Sequence, residues 1–137
     1  MTEAQNQTPD PAWSVLVLVE QSQATEPLDV PGRAPFEQWL QGLRDVAARA
    51  RITARIVRIL QGGNFGDRRE RIAGAVSELR IDYGPGYRVY YVRVGNQIVV
   101  LMGGGTKDSQ QGDIDEAVRL WERYKDDVEG RSRDFRR

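Results

Sequence analysis

Residues Glu78 to Lys107 read ELRIDYGPGYRVYYVRVGNQIVVLMGGGTK, and the reading of this stretch decides the fold. GPG at 84–86 and GN at 95–96 supply tight turns. They divide the stretch into strands at about 75–83, 87–94 and 97–102. Turns this short force antiparallel pairing. IVVLM, 98–102, is apolar without alternation, so this strand is expected at the centre of a sheet and covered on both faces. GGG, 103–105, is expected to break the chain.

Upstream, WSVLVLVE at 13–20 is β-rich and short, a further strand. QSQATEPLDVPGR, 21–33, reads as a loop. A helix is expected from Pro35, with Phe36, Trp39, Leu40, Leu43 and Val46 at helical spacing. A second follows, with Ile52, Ile56, Ile59 and Leu60 on one side and Arg51, Arg55 and Arg58 on another. The break between them is expected near Asp45–Arg49, and Gly62 and Gly63 end the pair. GGNFGDRRERIAG, 62–74, reads as a cationic, glycine-punctuated loop. Downstream, a helix is expected from Asp113, with Ile114, Ala117, Val118, Trp121 and Val128 forming its apolar face.

The order is strand, two-helix hairpin, three antiparallel strands, C-terminal helix. That is an α+β domain over 13–129, with its helices expected on one face of a small sheet. Residues 1–12 are expected to be a flexible tail and 130–137 a charged one.

The chain has 137 residues, which suits one domain, and no net charge. Its charge is unevenly spread. From Arg33 to Lys107 there are 13 bases and 6 acids, between an N-terminal stretch with 5 acids and no base and a C-terminal stretch with 9 acids and 7 bases. A basic middle fits an acidic partner or a nucleic acid, and equally a helix with a solvated basic side. Cysteine is absent, which removes disulfides and thiolate metal sites and fits a reducing compartment. Histidine is absent too, which removes the usual base near neutral pH and the commonest metal ligand. No metal or cofactor is expected. Val15–Val19 is too short to cross a membrane, and no cation precedes it, so a cytoplasmic protein without membrane partners is expected.

Alternation along the strands puts Glu78, Arg80 and Asp82 on one face and Leu79, Ile81 and Tyr83 on the other. Arg88 points with Tyr90, away from Val89 and Tyr91. Arginine offers phosphate a planar fork, and tyrosine offers an unpaired base a stacking surface. The same pattern also fits ion pairs on a wet sheet face.

RAPFEQWLQGLRD, ARARITARIVRI, GGNFGD, ELRIDYGPGYRVYY, IVVLMGGGTK and QQGDIDEAVRLW together resemble, in sequence and order, the RelE/ParE-like toxins of bacterial toxin–antitoxin modules, above all the HigB-like addiction module killer proteins. The resemblance covers about residues 13–125. It implies a small antiparallel sheet backed by two N-terminal helices. It implies either metal-independent, ribosome-associated cleavage of messenger RNA or, in the ParE branch, non-catalytic inhibition of DNA gyrase; an inactive relative that only binds antitoxin is the third alternative. It also implies neutralisation by a small helix-turn-helix antitoxin. Carried onto this chain, Arg80, Arg88 and Lys107 match family positions for phosphate binding and charge neutralisation. Tyr90 or Tyr91 would stack a base or serve as acid. Arg68, Arg69 and Arg93 would be further RNA contacts. Thr106 stands where the family usually has an aspartate.

Overall fold

The protein is described here by a computed structural model covering residues 14–20, 33–62 and 64–135, with side chains as far as residue 130. The expected tail at 1–12, nearly all of the loop at 21–33, Gly63, and the side chains of the 131–137 segment lie outside the described residues.

Five strands form one mixed sheet: β1 (Ser14–Val17), β2 (Arg68–Ala73), β3 (Val76–Ile81), β4 (Tyr87–Val94) and β5 (Ile98–Thr106), in the order β1-β5-β4-β3-β2. Strand β1 runs parallel to β5, with Leu16 opposite Val100, and every other pair is antiparallel. Three helices accompany the sheet: α1 (Pro35–Gly42), α2 (Val46–Leu60) and α3 (Gln110–Phe135), the last preceded by a 3₁₀ turn at Lys107–Ser109. Among the described residues no helix is long and apolar enough to cross a membrane.

The hairpin breaks at residues 43–45. Asp45 ends the break by accepting a hydrogen bond from the Ala48 amide (3.1 Å), an N-cap that satisfies one orphan donor of α2. Gly62, at φ +79°, closes the other end in the left-handed region that glycine enters without strain.

The helices do not share one face of the sheet, as the sequence had suggested. Phe36, Ala48, Ile52 and Ile59 of the hairpin pack with Leu79, Ile81, Tyr87, Val89, Tyr91, Val99 and Leu101. Ala117, Leu120, Trp121, Tyr124 and Val128 of α3 pack on the opposite side with Val76, Tyr90, Val92, Val94, Ile98, Val100 and Met102. The reason lies in β4 and β5. Both are apolar on both faces over most of their length, and one layer of helix would leave half of those side chains in water. Strand β5 is covered on both faces, as its unbroken apolar run implied, but it lies inside the sheet next to the edge strand β1, and the middle place belongs to β4.

Two further expectations need correction. The stretch RRERIA lies not in a loop but in β2, an edge strand with four exposed residues at its start. Its pairing is interrupted between Arg69 and Ala73, where Arg71 takes a positive φ of 52° and its amide donates to Ser77 Oγ (2.8 Å). The glycines 103–105 do not break the chain either, because β5 runs through them to Thr106. They are needed for room. A Cβ on Gly104 would lie 2.4 Å from the Trp39 ring, and one on Gly105 would lie 1.8 Å from Asp113 Oδ2. Trp39 presses on one side of the strand and Asp113 on the other.

Glu20 ties the end of the β1 segment to α3. It receives Arg33 and Arg119, the latter at 3.2 Å. Burial alone would raise the Glu20 carboxyl, but the hydrogen bonds from Arg33 and Arg119 outweigh it and hold it below the ordinary carboxylate value.

Two outcomes follow for stability. Gly104→Ala should cost about 1–3 kcal/mol by overpacking against Trp39, whereas Gly103→Ala, with nothing within 4 Å of its added methyl, should be far milder; denaturant melts compare the two. A depressed folded-state pKa contributes stability that is complete above the unfolded value and is lost as pH falls through the folded one. Glu20→Gln should therefore lower Tm at neutral pH, and the gap from the parent should narrow as melts are taken down through about pH 4.

Candidate functional site

Pairing of β3 with β4 and of β4 with β5 sets two adjacent cross-strand rows on the α3 side. One runs Arg80, Arg88, Gly105; the other runs Glu78, Tyr90, Gly103. Directly opposed like charges on neighbouring strands repel, so the Arg80–Arg88 pair is unfavourable unless anions answer it. Glu78 answers Arg88 on the diagonal, its Oε1 lying 3.8 Å from Arg88 Nε. Arg80 is half-buried, and among the described residues no side chain pairs with its guanidinium.

The start of α3 closes over these rows. Gln110 Nε2 donates to Glu78 Oε2 at 2.9 Å. Asp113 sits above Gly105 and accepts a hydrogen bond from Ser109 Oγ. Thr106 and Ser109 cap the 3₁₀ turn reciprocally, and the Thr106 amide donates to Ser109 Oγ at 3.2 Å. Thr106 thus has a local structural task.

Lys107 belongs to the same end of the sheet. Its amide donates to the Gly86 carbonyl at 2.8 Å, locking the start of the turn to the β3–β4 hairpin. A Cβ on Gly86, whose φ is +84°, would lie 3.6 Å from Lys107 Cβ and 3.7 Å from Arg88 Nη1. Lys107 and Arg88 therefore flank one bare point of the turn. The lysine side chain is exposed.

Arg88 is only 7% exposed and Glu78 is fully buried. Arg88 Nη1 donates to the Tyr87 carbonyl at 3.2 Å, while Arg88 Nε and Glu78 Oε1 make no hydrogen bond. The sequence reading of Glu78 as one of several wet surface charges is therefore wrong for this residue. Asp82, its expected companion, is exposed.

The tyrosines also differ from expectation. Tyr90 and Tyr91 are each 0% exposed, so neither ring is open for a base to stack on. Tyr90 lies under α3 and Tyr91 under the hairpin, against Phe65 at 5.6 Å between ring centroids. Burial, with Glu78 and Asp113 adding to it and Arg88 opposing, holds the Tyr90 phenol far above its ordinary pKa. Burial first, and then Glu70, raises Tyr91 as well. Both remain protonated at neutral pH and neither is a proton acceptor.

The further arginines divide between the faces. Arg69 is exposed opposite Glu78, beside the Arg80–Arg88 row. Arg68 lies opposite Leu79, and Arg93 opposite Val99, both on the hairpin side. Those two lie over the Phe65 ring, at 5.7 and 5.1 Å, and both bind Glu70, at 2.9 and 3.0 Å. The structure thus brings Arg80, Arg88 and Lys107 to one end of the sheet, leaves Arg69 next to their row on the edge strand, and sets Arg68 and Arg93 on the other face.

Three contributors escaped the sequence reading: Glu78, Gln110 and Arg55. Arg55 looked like part of a basic helix surface. It instead donates to the carbonyls of Phe65 (2.6 and 3.2 Å), Asp67 (2.8 Å) and Arg80 (2.7 Å), fastening α2 to β3 at Arg80. Gly66 makes room for it, since a Cβ there would meet the guanidinium at 2.9 Å. A glycine-rich loop facing an arginine 10 to 12 residues upstream is a faint signal, legible only once the hairpin is placed.

Among the described residues no group of three or more Asp or Glu could hold a metal ion. An apolar groove lined by Leu16, Leu18, Val100, Tyr124 and Val128 lies on the far part of the α3 side and offers no cation to a phosphate.

No family model matches the chain. It is similar to a Haemophilus influenzae protein that carries the name "Uncharacterized protein", with 46% identity over 85 residues, which is 62% of this chain and 84% of that one. The two chains belong to one family.

Arg55→Met keeps the aliphatic stem and removes the bonds to the three carbonyls. It should destabilise the protein by on the order of 3 kcal/mol. Amide exchange should accelerate at residues 64–67 and at Arg80 before it does in β5.

Proposed function

We propose that this chain, as a member of that family, is the toxin of a bacterial toxin–antitoxin module with a RelE/ParE-like fold, acting as a metal-independent endonuclease on messenger RNA at the ribosome. The observation that carries the reading is the meeting of Arg80, Arg88 and Lys107 at one end of the sheet, next to the start of α3. The element order supports it: a helical hairpin, an antiparallel β2–β5 meander and a C-terminal helix follow the order of motifs that the resemblance rests on.

RNA cleavage asks little of such a site. The ribose 2′-oxygen attacks the adjacent phosphorus and the bond to the 5′-oxygen breaks, leaving a 2′,3′-cyclic phosphate and a 5′-hydroxyl. The protein must align these atoms and stabilise the charge that gathers on the phosphoryl oxygens. Arg80, whose fork has no internal partner, grips the phosphate. Arg88, held from within, and Lys107, on the other side of Gly86, neutralise the developing charge. The adjoining helix start adds positive potential. With both tyrosines buried and protonated, the 2′ proton passes to a carboxylate such as Asp113 or to a group of the ribosome, and the departing 5′-oxygen takes its proton from water. The partner that silences the protein is a helix-turn-helix antitoxin whose neutralising segment covers Arg80, Arg88 and Lys107.

One observation favours the gyrase reading as runner-up. Val46, Val57 and Leu60 are 66, 40 and 42% exposed on one stripe of α2, and Arg51 and Arg58 are exposed further round the same helix. An apolar stripe on a basic helix is a protein-contact surface and needs no active site.

Induced without antitoxin, the parent should arrest growth and cut transcripts as they are translated. Arg80→Ala and Arg88→Ala should each relieve the arrest and slow cleavage about 100-fold or more while remaining folded. DNA-damage signalling without transcript cleavage, abolished by Leu60→Asp and not by Arg80→Ala, would establish the gyrase reading instead. No growth arrest by the parent at all would leave an inactive relative that binds antitoxin.

A further inference from the structure

We infer that Glu78 is a positioning residue that holds Arg88 in the orientation the phosphate site needs, and that Gln110 holds Glu78 in turn; this rests on the nuclease reading above.

The strand geometry makes the choice of partner informative. Glu78 shares its face with Arg80, two residues along the same strand, and with Arg88, diagonal to it on the next. It pairs with Arg88 alone. One arginine of the opposed pair is thus fixed and the other left free. The fixed one is restrained at two points. Its Nε edge faces Glu78 Oε1 at 3.8 Å, and its Nη1 donates to the Tyr87 carbonyl at 3.2 Å. Nη1 also lies 3.7 Å from the bare Cβ position of Gly86, so the terminal end of the guanidinium is at the opening that Lys107 borders. Nη2 has no partner among the described residues and is the nitrogen left to meet a phosphoryl oxygen.

A purely structural role explains this arrangement poorly. A buried ion pair is weak support for a fold, because desolvating both charges offsets their attraction unless every polar atom is bonded. Here Arg88 Nε and Glu78 Oε1 make no hydrogen bond, and the neighbouring Tyr90 hydroxyl makes none either. Apolar residues of similar size would cover this row between β3 and α3 at least as well. What they would not do is aim a guanidinium. Fixed charge that needs no reorganisation at the moment of reaction is the form of electrostatic stabilisation that most lowers a barrier. Gln110 adds a consequence. It bonds Glu78 Oε2 at 2.9 Å from the first turn of α3, so the aim of Arg88 depends on that turn being seated.

The test uses Glu78→Gln, which keeps shape and the capacity to bond Gln110 but removes the charge. Two measurements are made on the full chain. The first is ¹⁵N relaxation of the arginine Nε–H groups. In Glu78→Gln the Arg88 signal should lose order while those of Arg55 and Arg93 do not change. The second is cleavage of RNA. The kcat should fall by up to about 100-fold, as a small misplacement of a catalytic group allows, with KM nearly unchanged. Arg88→Lys should be slow, and Glu78→Gln combined with Arg88→Lys should be no slower than Arg88→Lys alone, since one residue acts through the other. If Glu78→Gln does not fold, Glu78→Asp keeps the charge on a shorter stem and should show the same kcat loss in milder form. An Arg88 signal as ordered in the variant as in the parent overturns the proposal, as does an additive double variant or a loss confined to KM. If the parent cuts no RNA while Arg88 loosens in Glu78→Gln, the positioning stands and the nuclease reading fails.

Discussion

Everything in this fold depends on two adjacent strands that are apolar on both faces. Strands β4 and β5 place Val89, Tyr91, Val99 and Leu101 on one side and Tyr90, Val92, Val100 and Met102 on the other. Each fully buried side chain of this size contributes about 1.5–3 kcal/mol when removed from water. No single layer of helices can collect that from both sides. The hairpin of α1 and α2 therefore takes one face and α3 the other, with β1 and β2 as the edges. The architecture is a sandwich of helix, sheet and helix in which the sheet supplies most of the apolar surface.

The candidate site forms where that apolar pattern stops. Past Tyr90 the face under α3 changes to Arg88 and Gly105, and beyond Val76 it changes to Glu78 and Arg80. The core ends there, α3 begins there, and the cations sit at the seam. This position reconciles two demands that conflict elsewhere. Charges must stay near water to be affordable, and they must be rigid to act on a substrate. Arg88 is buried with Glu78 Oε1 3.8 Å from its Nε; Arg80 is half-buried and has its backbone held by Arg55 and by the Asp67 carbonyl.

Much of this was legible in the sequence. The turns at Gly84–Gly86 and Gly95–Asn96 divide the strands correctly, and the doubly apolar run of β5 marks it as an interior strand covered on both faces. The α+β class follows from the order of elements alone. What was not legible has physical causes. Strand β2 is charged and exposed and is held by pairing along one edge, so it carries no apolar alternation to detect. The three glycines looked like a break because glycine often is one, yet here Gly104 answers to Trp39, far upstream in the sequence, and Gly105 to Asp113 of the helix that follows. Alternation puts Glu78 with Arg80 and Arg88 with Tyr90 correctly, but the register that sets the two pairs on one face comes from the pairing of β3 with β4. Alternation cannot say that α3 covers half of that face, which is what buries Glu78 and Tyr90 and leaves Arg80 partly open.

At Gly104 and Gly105 the sandwich has no padding. An indole from the first helix rests on one peptide unit, and a carboxylate from the last helix rests on the next, from the other side. The two outer layers, built from segments some seventy residues apart in the chain, are thus gauged from a single pair of backbone planes. Their separation at this spot is set by the thickness of bare main chain, so any change at Trp39, Gly104, Gly105 or Asp113 has to be read as a change in how both layers are spaced, and through Asp113 in how Ser109 and the seam of cations are laid out.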